Sequence, residues 1–95
     1  MRHARDAALD ELGDLLREVR QRYPVLRERK RCAFYKGGQG WLHFHEDPAG
    51  LFADVKMNGT FARFRVSTKA ERGALLSRLR DSLLDGEGKK KPRVR

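Results

Sequence analysis

The stretch Arg31–Val66, RCAFYKGGQGWLHFHEDPAGLFADVKMNGTFARFRV, decides the fold, because it alternates apolar and polar side chains in short runs separated by turn residues. Residues 51–57 and 60–66 flank Asn58 and Gly59, the pair best suited to a type I′ turn, and so form a hairpin. A two-residue turn there pairs Met57 with Thr60, and therefore Lys56 with Phe61, Asp54 with Arg63 and Phe52 with Arg65. Asp47, Pro48, Ala49 and Gly50 make the preceding turn, which opposes His45 to Phe52, His43 to Asp54 and Trp41 to Lys56. The first hairpin joins residues 31–36 to 41–46 through Gly37, Gly38, Gln39 and Gly40. A turn of odd length puts Cys32 and Phe34 in the core and Tyr35 beside Trp41; an even one moves Cys32 and Phe34 to the other face. The first arrangement buries the more apolar pair and is the one expected.

Outward from this stretch, Ala8, Leu12, Leu15, Leu16, Val19 and Tyr23 recur at three- and four-residue spacings, which predicts an amphipathic helix over residues 6–22, ended by Pro24. Val25 to Lys30 is mostly charged and reads as a connector into the first strand. After the strands, Thr68 and Glu71 have the spacing of a capping box, and Leu75, Leu76, Leu79, Leu83 and Leu84 form the stripe of a second helix that Gly86 ends. The expected architecture is α+β, in the order α-β-β-β-β-α: a four-stranded antiparallel meander with an N-terminal and a C-terminal helix on one face. Residues 1–86 make a single domain, and 87–95 a basic disordered tail.

Ninety-five residues suffice for one modest core and leave little room for an enclosed catalytic chamber. The formal net charge is +9; residues 86–95 hold five cations and one anion, which leaves +5 for the first 85 residues. Such a bias favours anionic partners and says nothing of the fold. The lone Cys32 forms no internal disulfide and suits a reducing compartment. With no long apolar run and no signal-like N-terminus, no membrane span is expected and a cytoplasmic location is. Fifteen arginines against seven lysines, no isoleucine and one asparagine resemble the usage of a GC-rich, bacterial genome.

The register gathers Tyr35, Trp41, His43, His45, Phe52, Asp54, Lys56, Phe61, Arg63 and Arg65 on one face, while Leu42, Phe44, Leu51, Ala53, Val55, Ala62, Phe64 and Val66 take the other, under the helices. Tyr35, Trp41, Phe52 and Phe61 among Lys56, Arg63 and Arg65 have the composition of a platform for single-stranded nucleic acid: rings stack bases at about 1–3 kcal/mol each and cations follow phosphates. A face so rich in rings also suits burial in a homodimer, or rings that serve as flat partners for arginine and lysine stems. At fold level a four-strand meander followed by a helix resembles the dimeric single-stranded-DNA-binding coactivator domain, with no residue motif in common.

His43, His45 and Asp47 alternate as H-x-H-x-D and would point toward one side of a strand, with Glu46 nearby and Asp54 across the pair; such a set could hold zinc or another borderline divalent ion. The simpler reading pairs His43 with Asp54 across the strands. No complete catalytic constellation accompanies these residues, so a non-enzymatic protein is expected, with nucleic acid or another polyanion as its partner. Gly37, Gly38 and Gly40 lack the following helix and Gly-Lys-Ser/Thr ending of a phosphate loop. Two basic runs, Arg27, Arg29, Lys30 and Arg31 and the tail's Lys89, Lys90, Lys91, Arg93 and Arg95, add non-specific attraction for phosphates.

Overall fold

The computed structural model describes residues 2–88, with side chains through Leu84. Its elements are β1 (Arg2–His3), α1 (Asp6–Glu11), α2 (Gly13–Arg22), β2 (Arg27–Lys30), β3 (Ala33–Lys36), β4 (Gln39–Asp47), β5 (Gly50–Met57), β6 (Thr60–Arg65) and α3 (Lys69–Gly88). The fold is α+β, with one antiparallel sheet in the order β2-β3-β4-β5-β6; β1 pairs with β4 beyond the end of β3. The helices pack on one face, where Leu12, Leu16, Val19, Leu75 and Leu79 meet Phe34, Leu42, Phe44, Ala53, Val55 and Val66 in a single buried cluster. Burial of Phe34 or Phe44 contributes about 1.5–3 kcal/mol each before the entropy of ordering is subtracted.

The second hairpin and its neighbour have the expected register. Asn58 and Gly59 adopt φ of 53° and 85°, as a type I′ turn requires, and Phe52 opposes Arg65, Asp54 opposes Arg63 and Lys56 opposes Phe61. His43 and His45 oppose Asp54 and Phe52. At the start of α3, Glu71 N–H donates to Thr68 Oγ1 at 3.1 Å and the Thr68 N–H donates to Glu71 Oε1 at 3.0 Å, completing the capping box.

Four features depart from expectation. The residues taken for a connector form β2, a fifth strand of the meander, whose register opposes Arg27 to Tyr35 and Glu28 to Phe34. All four of its side chains are charged and exposed, so backbone hydrogen bonds hold it to β3 without any apolar alternation to reveal it. The predicted 6–22 helix breaks at Leu12, whose N–H reaches both Ala8 O and Leu9 O at 3.1 Å, before Gly13 opens α2. Arg2 and His3 extend the sheet opposite Glu46 and His45. Finally, α3 continues past Gly86 to Gly88, so the helix takes in the first two residues assigned to the tail; residues 89–95 lie outside the described residues. Among those described, no helix is long and apolar enough to cross a membrane.

Candidate functional site

The first hairpin decides which side chains reach the face opposite the helices. Gly37 and Gly38 take φ of 56° and 84°, making a two-residue turn between Lys36 and Gln39. An even turn alone would send Phe34 outward. A bulge follows, in which Tyr35 opposes Gly40 and Phe34 opposes Leu42, leaving Trp41 as the extra residue. The bulge restores Phe34 to the core, where it is 1% exposed, and keeps Cys32 packed against the same cluster. The expected facing of Cys32 and Phe34 is therefore found, by a different route from an odd turn.

Trp41 is displaced by the same bulge. Its indole packs against the core and donates from Nε1 to Ser82 Oγ of α3 at 3.1 Å, while the Lys36 amine lies 5.2 Å from its ring centre. Trp41 therefore belongs to the helix side and leaves the predicted platform. Glycine inside a strand pattern signals a bulge, and Gly40 directly before Trp41 carried that signal.

The remaining platform residues come together, each ring beside a cation. Arg29 lies 5.3 Å from the centre of Tyr35, Arg65 5.2 Å from Phe52 and Lys56 5.9 Å from Phe61. Phe61 is 46% exposed. Arg63 grips Asp54 through two hydrogen bonds of 2.8 and 2.9 Å. Arg27, opposite Tyr35, and Lys30, opposite Ala33, join this face from β2, which the sequence reading treated as lying ahead of the sheet. Arg31 turns away and bonds Asp6 and Asp10 of α1 at 3.2 and 3.0 Å.

Histidines occupy the middle of the face. His3 lies with its ring centre 5.0 Å from His45 and 6.4 Å from His43, and His43 packs 5.4 Å from Phe61 and 6.2 Å, edge-on, from Tyr35. Gly40 makes room for the His43 ring: a Cβ there would stand 2.9 Å from Cε1 and 3.1 Å from Nε2. The bond to Asp54 comes from the diagonal neighbour His45, Nε2 to Oδ2 at 3.1 Å, whereas the directly opposed His43 was expected to make it. Sequence reading missed His3, since nothing local announces a pairing with residues more than forty positions away.

Burial pushes the His43 imidazole below its ordinary value, and the neighbouring His45 and His3 push the same way. Burial also lowers His45, against the pull of Asp54. For Asp54, burial works to raise the carboxyl, but the Arg63 hydrogen bonds, with His45, hold it below the ordinary carboxylate value. Both β4 imidazoles are thus neutral at pH 7 and the carboxylate beside them is charged.

The H-x-H-x-D metal set does not assemble. Asp47 Oδ2 accepts the Ala49 N–H at 3.1 Å inside its own turn, His45 is turned to Asp54, and among the described residues no three His, Cys, Asp or Glu side chains could hold one ion. His43, His45 and Asp47 are therefore not brought together as one ligand set in this structure.

No family model matches the chain, and neither the curated proteins nor the solved structures gave a match. The functional reading rests on the chain's own side chains.

Proposed function

We propose that the outer face of the sheet binds single-stranded nucleic acid without sequence preference. The observation that carries this reading is a group of four unanswered cations on one face, three of them on the edge strand β2, beside the face's aromatic rings. Among the described residues, Arg27, Arg29, Lys30 and Lys56 have no carboxylate within 4.0 Å, and all four belong to this face. Most arginines on the helix side are answered, Arg17 by Asp14, Arg20 by Glu28, Arg22 by Glu18, Arg31 by Asp6 and Asp10, and Arg72 by Glu11, while among the described residues Lys69 and Arg78 of α3 and Lys36 beside Trp41 are not. Phosphates supply the missing charge, and bases stack on Tyr35, Phe52 and Phe61 or on the guanidinium planes of Arg29 and Arg65 that already lie beside two of those rings. Arg63 stands two residues along β6 from Phe61 and keeps Asp54 from opposing the strand.

Stacking requires open bases, which favours a single strand over a duplex. The cytoplasm is the matching compartment, since a lone unpaired Cys32 suits a reducing medium. Homodimerisation through the same face has the exposed Phe61 in its favour, but a two-fold contact would set these cations against their copies, so a polyanion is the better complement.

The test is anisotropy of a labelled oligothymidylate titrated with the protein, with the chain shortened after Gly88, and with Arg27→Ala, Arg29→Ala and Lys30→Ala combined. Binding that survives the truncation and is lost in the triple variant supports the sheet. Binding that disappears with the tail alone, or persists in the triple variant, refutes it; size exclusion at twice the monomer mass would transfer the face to the dimer.

A further inference from the structure

We propose that His3, His43 and His45 form a phosphate subsite at the centre of the outer face. The inference rests on the polyanion reading above and names the groups that would hold one phosphate while the β2 cations steer its neighbours. Three imidazoles from two strands crowd within ring separations of 5.0 and 6.4 Å, an arrangement that no core-packing need explains, because this face lies opposite the buried cluster. Only His45 has a carboxylate partner among the described residues, and that carboxylate is already doubly bonded to Arg63.

Every strand around the rings presents a group to them. Lys30 of β2 adds a positive charge near His43, Tyr35 of β3 stands edge-on to it, Asp54 of β5 lies against His45, and Phe61 and Arg63 of β6 close the far side. Asp54 pulls on both β4 rings, opposed by Arg63 at His45 and by Lys30 at His43, so the positive charge that a phosphate needs comes from the rings themselves once protonated. Among the described residues no three His, Cys, Asp or Glu side chains converge as a cation site here.

Imidazole N–H groups donate to phosphate oxygens, and imidazolium donates from both nitrogens with a charge-assisted bond. A phosphate seated here therefore favours the protonated rings. Where the free rings are neutral and the occupied ones charged, binding takes up protons, and affinity rises as pH falls. Burial, with repulsion from the neighbouring imidazoles, limits charging of His43 and His45 in the free protein; a bound anion works against that limit.

The experiment uses the full chain and a labelled oligothymidylate, whose bases do not titrate between pH 5.5 and 7.5, in metal-free buffer. Affinity is expected to tighten by about tenfold from pH 7.5 to 5.5, which corresponds to an average uptake of about half a proton across the interval, and to lose most of this pH dependence in His3→Gln plus His43→Gln. That pair leaves the His45 bond to Asp54 in place, and circular dichroism confirms its fold. In the wild-type chain, imidazole signals followed by NMR should titrate at higher pH with the oligonucleotide than without it. Equal affinity at both pH values, tightening retained in the double variant, or unmoved imidazole titrations overturn the subsite and leave the sheet as a polyanion face. No binding at either pH overturns both.

Discussion

Salt dependence gives the proposed interface a quantitative expectation. Each phosphate neutralised on a single strand releases condensed counterion, so log K falls against log salt with a slope of about −0.7 per contact. The four cations of this face that lack a carboxylate within 4.0 Å, Arg27, Arg29, Lys30 and Lys56, then give a slope near −2.8 if each meets one phosphate. Raising monovalent salt from about 50 to 200 mM would weaken binding roughly fiftyfold. Arg27→Ala plus Lys30→Ala removes two contacts, reducing the slope to about −1.4 and the same salt step to roughly sevenfold. Arg63 is left out of the count because Asp54 already holds it. The assay is oligothymidylate anisotropy in the chain shortened after Gly88, which removes the tail cations as competing contacts. A slope that the double variant leaves unchanged would refute the assignment of these side chains to phosphates.

Further expectations follow from the same geometry. Trp41 emission should ignore the oligonucleotide, because its indole is on the helix side; Trp41→Phe should leave affinity unchanged and lower stability by about 1 kcal/mol through loss of the bond to Ser82. Strong quenching of Trp41 would contradict its placement. Gly40→Ala should turn the His43 ring out of its seat with a stability cost on the order of 1 kcal/mol, seen as a shift of its NMR signal toward that of an open imidazole. In the free protein, His43 and His45 titrate below their unfolded value of about 6.5, so below that pH the unfolded chain binds more protons. The thermal midpoint should therefore fall between pH 7.5 and 5.5 and fall less in His43→Gln. Asp54, whose folded value is depressed, adds a further loss only at more acid pH, as pH drops below the ordinary carboxylate value and then through its folded one.

The parts of the fold legible in sequence were those fixed by neighbouring residues. Asn58 and Gly59 alone set the register that brings Phe52 to Arg65 and Asp54 to Arg63, and Thr68 with Glu71 marked the start of α3. Trp41 was misassigned because one inserted residue reverses the sense of a two-residue period, and its direction depends on Ser82 waiting on a helix some forty residues later. β2 was invisible to hydrophobic patterning: its exposed charges are held only by main-chain bonds to β3, yet it brings three of the cations that most affect the proposed site. His3 depends on the same kind of remote pairing. The candidate face was thus recognisable by composition, while its centre and its most basic margin were set by contacts between distant segments.

The charged character of β2 has a second consequence. A sheet border with unpaired main-chain groups invites another strand to add on, and proteins that stay monomeric commonly make such borders inhospitable. Arg27, Glu28, Arg29 and Lys30 do so here along one border, and Arg63 and Arg65 stud the other strand at the margin, β6. The excess positive charge therefore acts as a brake on growth of the sheet into larger aggregates, and a chain stripped of it would lose solubility before it lost its fold.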